Sequence, residues 1–263
     1  MRQCRAARRP PSTVRRRDRD GLAATFASGL LALLLALAAC APGAVSATHP
    51  TGQGIAAPHA LTYVAIGASD AFGIGTDDPD REAWPTLVAR RLGPGTHLIN
   101  LAVPGATTAL ALQNELPVAL DAHPDVVTVW LAVNDFADGV PLADYRAQLG
   151  TLLRGLRRGL PDSRIVVGNI PDLTVLPHFF GEDPATLRGQ VQAWNAAIAA
   201  DCAAAGVTLV DLYAEWSELA DHPEYISGDG FHPSAIGAER LADLFSVALD
   251  LAAVSSPTPG GTP

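Results

Sequence analysis

The 263 residues are 48% hydrophobic and 17% charged, which supplies a buried core and rules out a compositionally disordered chain. All 18 basic side chains are arginine, set against 27 carboxylates, for a formal net charge of −9. Eight of the arginines stand before residue 20, so without residues 1–39 the body would carry 10 arginines against 25 carboxylates, a balance that excludes nucleic-acid binding and electrostatic docking on anionic lipid.

In chain order, Arg2, Arg5, Arg8, Arg9, Arg15, Arg16, Arg17 and Arg19 precede an apolar run over residues 22–39, the arrangement of an export signal rather than of a folded element. The run is short for a spanning helix and closes on Leu37-Ala38-Ala39-Cys40, which resembles the bacterial lipobox, whose cysteine becomes the lipid-modified first residue of the mature protein. An ordinary secretory signal or an uncleaved anchor helix is the alternative. The expected organisation is a lipoprotein signal over 1–39, a flexible tether over 40–60 rich in Ala, Pro, Gly and Thr, one domain over 61–252, and a disordered tail over 253–263. The expected location is extracytoplasmic, held at the bacterial membrane through Cys40. Cys4 falls in the signal, leaving Cys202 alone in the domain, where an Ala-rich helical setting suits a small core residue.

Within the domain, β-rich runs at 61–66, 97–101, 126–131, 164–169 and 207–212 alternate with amphipathic stretches at 81–92, 107–120, 141–160, 184–205 and 234–251. Runs such as Val126-Val127-Thr128-Val129-Trp130-Leu131 are nearly continuous in apolar residues, as burial on both faces of a parallel sheet requires. The expected fold is α/β, a three-layer α/β/α sandwich on a parallel sheet of about five strands. Ligands of such sheets bind beyond the carboxyl ends of the strands, so the strand exits are where chemistry is sought.

The first exit is Gly67-Ala68-Ser69-Asp70-Ala71-Phe72-Gly73, which presents a serine above the sheet edge as a nucleophile needs, or simply as a turn former. Its glycines lack the G-x-G-x-x-G order of a phosphate loop. The second exit holds Gly105 just before a helix start capped by Thr107 or Thr108, where a backbone N–H can donate to an oxyanion or the glycine can serve the loop alone. In the third, Asn134 of Ala132-Val133-Asn134-Asp135-Phe136 brings a side-chain amide to the same edge, although Asn-Asp is also common turn chemistry. Near the end, Asp229-Gly230-Phe231-His232-Pro233 sets a carboxylate three residues before an imidazole, close enough to fix its tautomer; a plain loop histidine is the alternative. His-Pro also occurs at His49, His123 and His222, but His49 lies in the tether and Leu120 and Leu219 stand three before the other two.

Taken in order, the four segments resemble the SGNH (GDSL-like) hydrolase family, named for the Ser, Gly, Asn and His of its sequence blocks, over about residues 61–251. The resemblance implies a flavodoxin-like fold, Ser69 as nucleophile, His232 and Asp229 as base and orienting acid, and an oxyanion hole from the N–H groups of Ser69 and Gly105 and the side chain of Asn134. It implies ester hydrolysis through an acyl-enzyme without metal or cofactor, on a small ester, lipid or acylated saccharide, with an acyltransferase or a catalytically silent surface binding protein as rivals. Phe136 and Phe231, beside these positions, are expected substrate contacts. Two departures stand out: the first block usually reads Gly-Asp-Ser, where this chain has Ala68 and then Asp70 after the serine, and the third usually begins with Gly, where it has Ala132. The stretch 171–180, with its Leu and Phe residues, is expected to form a flexible apolar wall or to pack on the domain's own core.

Overall fold

Five strands form one parallel sheet in the order β2-β1-β3-β4-β5: β1 Thr62–Gly67, β2 His97–Asn100, β3 Val126–Trp130, β4 Arg164–Gly168 and β5 Thr208–Val210. The computed structural model describes residues 60–250; the signal, Cys40, the tether up to residue 59 and the tail lie outside the described residues. β3 is buried at every position and β1 at all but the first, which accounts for their uninterrupted apolar sequence, while the edge strands β2 and β5 are short and partly exposed.

The helices in chain order are α1 Ser69–Phe72, α2 Pro79–Glu82, α3 Trp84–Leu92, α4 Thr108–Asp121, α5 Val133–Ala137, α6 Leu142–Gly159, α7 Pro184–Ala205, α8 Leu212–Glu215 and α9 Ala235–Ala248. α4, α6 and α7 pack on one another on one face of the sheet, and α3 and α9 pack together on the other, giving three layers. Side-chain caps start α4, α7 and α9: Thr107 accepts from Leu110, Asp183 from Thr186 and Ser234 from Gly237. The stretch expected as a single helix over 81–92 is instead two, because Pro85 has no N–H to give a continuing helix and is tolerated only in a first turn; Ala83, with φ −57° and ψ 135°, breaks the run.

Between the sheet and the α3–α9 layer, Trp84 stacks on Phe245 with centroids 4.3 Å apart, and Trp130 meets Trp84 edge-on at 6.2 Å. Trp130 ends β3 and donates its indole N–H to the Asn169 carbonyl at 3.0 Å, tying the core to the strand exits. Cys202 is buried and its thiol is pushed up to about 12 by burial, so it is a packing residue.

Candidate active site

The strand order reverses direction at β1, whose neighbours are β2 and β3, and this switch point opens a crevice at the carboxyl ends of the strands. Ser69 follows β1 after Ala68 alone, as the first residue of α1, and is 7% exposed. Its carbonyl accepts from both Gly73 and Ile74, with Gly73 left-handed at φ 101°, so the chain turns tightly straight after the serine.

The distant loop at 226–233 returns to this turn. Ser69 Oγ lies 2.9 Å from His232 Nε2, and His232 Nδ1 lies 2.6 Å from Asp229 Oδ2. With Nδ1–H donating to the carboxylate, Nε2 is left as acceptor for the serine hydroxyl. Asp229 Oδ1 accepts three further bonds, from the Ser227 hydroxyl at 2.8 Å and from the N–H groups of Phe231 at 2.8 Å and His232 at 2.9 Å. Burial raises the Asp229 carboxyl, but the bonds from the His232 ring, the two backbone N–H groups and Ser227 outweigh it and hold the group well below the usual carboxylate range. Asp229 is therefore an anion that both orients the imidazole and shapes the loop carrying it. A bridge between Ile226 and Pro233 closes that loop. From below, the turn after α1 presses on it: Gly75 has φ 100°, and a Cβ there would meet the Pro233 carbonyl and lie 2.9 Å from His232 Cβ.

Gly105 and Asn134 also reach this edge. Gly105 has φ 80° and is exposed, and no acceptor among the described residues takes its N–H or that of Ser69. Asn134 Nδ2 donates to the Ala106 carbonyl at 2.9 Å, which orients the amide and leaves its second N–H. Just before it, Ala132 takes φ 83° and ψ −42°, a conformation that favours glycine, which accounts physically for the glycine usual at that position. Asp135 is fully buried and accepts from the Thr108 N–H at 2.9 Å and hydroxyl at 3.1 Å, locking the start of α4 to the Asn134 turn; burial raises its carboxyl against those bonds. The Ser69–His232–Asp229 chain is an arrangement able to move a hydroxyl proton, and the Gly105 N–H and the Asn134 amide stand on the neighbouring strand exits.

The expected contacts differ in place. Phe231 meets His232 edge-on at 4.8 Å, whereas Phe136 packs against Trp194 at 5.4 Å and lines, with Phe179, Leu187, Gln190 and Trp194, an open cavity of about 330 Å³. In the stretch 171–180 the packed alternative holds for Leu173, Leu176 and Phe179, which are buried, while Phe180 is exposed. The His178 N–H donates to the Gly230 carbonyl at 3.1 Å, joining this wall to the His232 loop. The sequence gives Gly75 and Glu115 no role, and marks Asp70 only as a departure from the usual first block. Asp70 lines a narrow cavity of about 20 Å³ with Trp130, Trp216, Phe231 and Pro233. Burial pushes its carboxyl up to about 6, against the pull of His232 and its own N–H, with Asp229 adding to the rise.

The model of the GDSL-like Lipase/Acylhydrolase family matches residues 65–240. Among solved structures, a lipase/acylhydrolase from Enterococcus faecalis is 21% identical, with a TM-score of 0.59 over 74% of this chain and 100% of that one. The psychrotrophic esterase EstA from Pseudoalteromonas sp., inhibited by monoethylphosphonate, is 16% identical, with a TM-score of 0.57 over 72% and 97%. The acetyl xylan esterase AlAXEase is 16% identical, with a TM-score of 0.59 over 72% and 100%. No curated protein matches the chain. The family model and the shared fold together make the chain a member of the GDSL-like lipase/acylhydrolase family, and a hydrolase.

Proposed function

We propose that this hydrolase cleaves carboxylic esters through an acyl-enzyme on Ser69. The observation that carries the reading is the unbroken chain from Ser69 Oγ to His232 Nε2 at 2.9 Å and from His232 Nδ1 to Asp229 at 2.6 Å. Ser69 attacks the ester carbonyl as His232 takes its proton, and the oxyanion is held by the N–H groups of Ser69 and Gly105 and the amide of Asn134. His232 then protonates the leaving alcohol, and water repeats the sequence on the acyl group. The cavity beside Phe136 and Trp194 has the size of a small-ligand site and offers aromatic surface to an acyl chain or a sugar. Esterases among the structural neighbours support the same class of bond.

The proposal extends to place: the arginine-rich start and Leu37-Ala38-Ala39-Cys40 support export and lipid anchoring through Cys40. The test is hydrolysis of p-nitrophenyl esters from acetyl to long acyl chains by the native protein and by Ser69→Ala, run beside fatty-acid labelling of native cells and Cys40→Ser cells. Ser69→Ala is expected to lose at least about 10³-fold in kcat. Retained hydrolysis in that variant overturns the assignment of the nucleophile, and equal labelling of the two strains overturns the anchor.

A further inference from the structure

One buried ionisable group has no task in this mechanism. Glu115, in the middle of α4, is 1% exposed; its Oε2 accepts from the Gly67 N–H at 2.9 Å, and its Oε1 is buried without a hydrogen-bond partner among the described residues. Burial pushes the carboxyl up to about 7, against the pull of that N–H. For stability alone an apolar side chain of similar volume would serve better, because it would avoid desolvating a carboxyl that finds a partner for only one oxygen.

The place of the carboxyl is more telling than its cost. The parallel ladder between β1 and the chain leaving β2 runs on past β2, with the Leu101 N–H donating to the Ala65 carbonyl at 2.9 Å and the Val103 N–H to the Gly67 carbonyl at 3.2 Å. The Gly67 N–H lies between these bonds and faces the same edge, where a regular ladder would offer it the Leu101 carbonyl. It goes to Glu115 instead. The side chain therefore enters the ladder where the two chains part, one turning into Ser69 and the other towards Gly105. It does so from the helix whose first turn Asp135 already fixes beside Asn134.

Resting on the ester-hydrolase reading, we infer that Glu115 is a positioning residue that holds the Ser69 turn and the Gly105 loop in register across this parting point. A misplacement of about 1 Å between nucleophile and oxyanion donors is enough to cost about 10²-fold in rate. The test compares full-length native protein with Glu115→Ala, Glu115→Leu and Glu115→Gln, by kcat and KM on one p-nitrophenyl ester and by amide hydrogen exchange. Alanine and leucine are expected to lower kcat by about 10- to 100-fold with KM nearly unchanged, and to speed exchange over residues 63–72 and 101–106. Glutamine keeps an acceptor for the Gly67 N–H and is expected to recover most of both. Leucine fills the space without a buried charge, so it reports on the same point if the alanine variant fails to fold. Native kcat in the leucine variant, or glutamine no better than alanine, overturns the inference. If the native protein hydrolyses no ester, the hydrolase reading falls, and local exchange in the leucine variant decides Glu115 by itself: unchanged exchange at both segments overturns it.

Discussion

The two halves of the site are held in opposite ways. Ser69 stands at the end of a buried strand, 7% exposed, with Gly67 pinned by one buried carboxyl and the neighbouring Asn134 turn by another. The Asp229 side chain, by contrast, is 43% exposed on a loop that contributes little to the core, and its order comes from four bonds to one carboxylate. Burial fixes Ser69; hydrogen-bond satisfaction fixes His232. The lesson is that an exposed loop reaches a 2.9 Å contact when one side chain serves both as its scaffold and as part of the relay.

The largest effect comes from removing the double-duty residue. Asp229→Ala is expected to lower kcat/KM by about 10³- to 10⁴-fold on a p-nitrophenyl ester, and to loosen the loop as seen by proteolysis of residues 226–233. A loss in rate with the loop unaltered would mean that something else holds it. Next comes Gly75→Ala, which forces a Cβ against the Pro233 carbonyl and the His232 Cβ at a positive φ and should lower kcat by about 10-fold or more while Ser69 keeps its place. Its signature is a rate loss far larger than any shift in thermal midpoint.

The smallest effect is on stability and belongs to the buried side. Glu115 takes up its proton near 7 in the folded protein, against an ordinary value of 4.5. The folded state thus binds more protons between these values, so stability falls as pH rises from about 4.5 to 7 and levels off above, by on the order of 3 kcal/mol for this group. Urea midpoints across that range should show the slope in native protein and a flatter one in Glu115→Leu. Asp229 has the opposite sign: its depressed carboxyl adds stability that is present above about pH 4 and lost as the pH falls.

The sequence displayed the sheet well because burial on both faces leaves an unbroken apolar run, as in Val126–Trp130, and the proposed site residues Ser69 and Asn134 sit in the short exits that follow such runs. Periodicity was silent about α1 and α5, which are one turn long and arise from backbone turning at Ser69 and Asn134. It was also misled over 81–92, where a full apolar face masked the veto of Pro85. Glu115 and Gly75 were invisible for a different reason. Each acts on a residue far away in sequence, Glu115 on Gly67 and Gly75 on His232, and a lone acid on a helix or a lone glycine in a loop carries no mark of such a partner.

Ala132 carries a wider consequence. Its φ of 83° shows that the usual glycine at this point answers to a backbone shape and not to any chemistry of its own, and this fold keeps the shape with a methyl group attached. At this turn of this chain the dihedral angle stands where the usual letter does not.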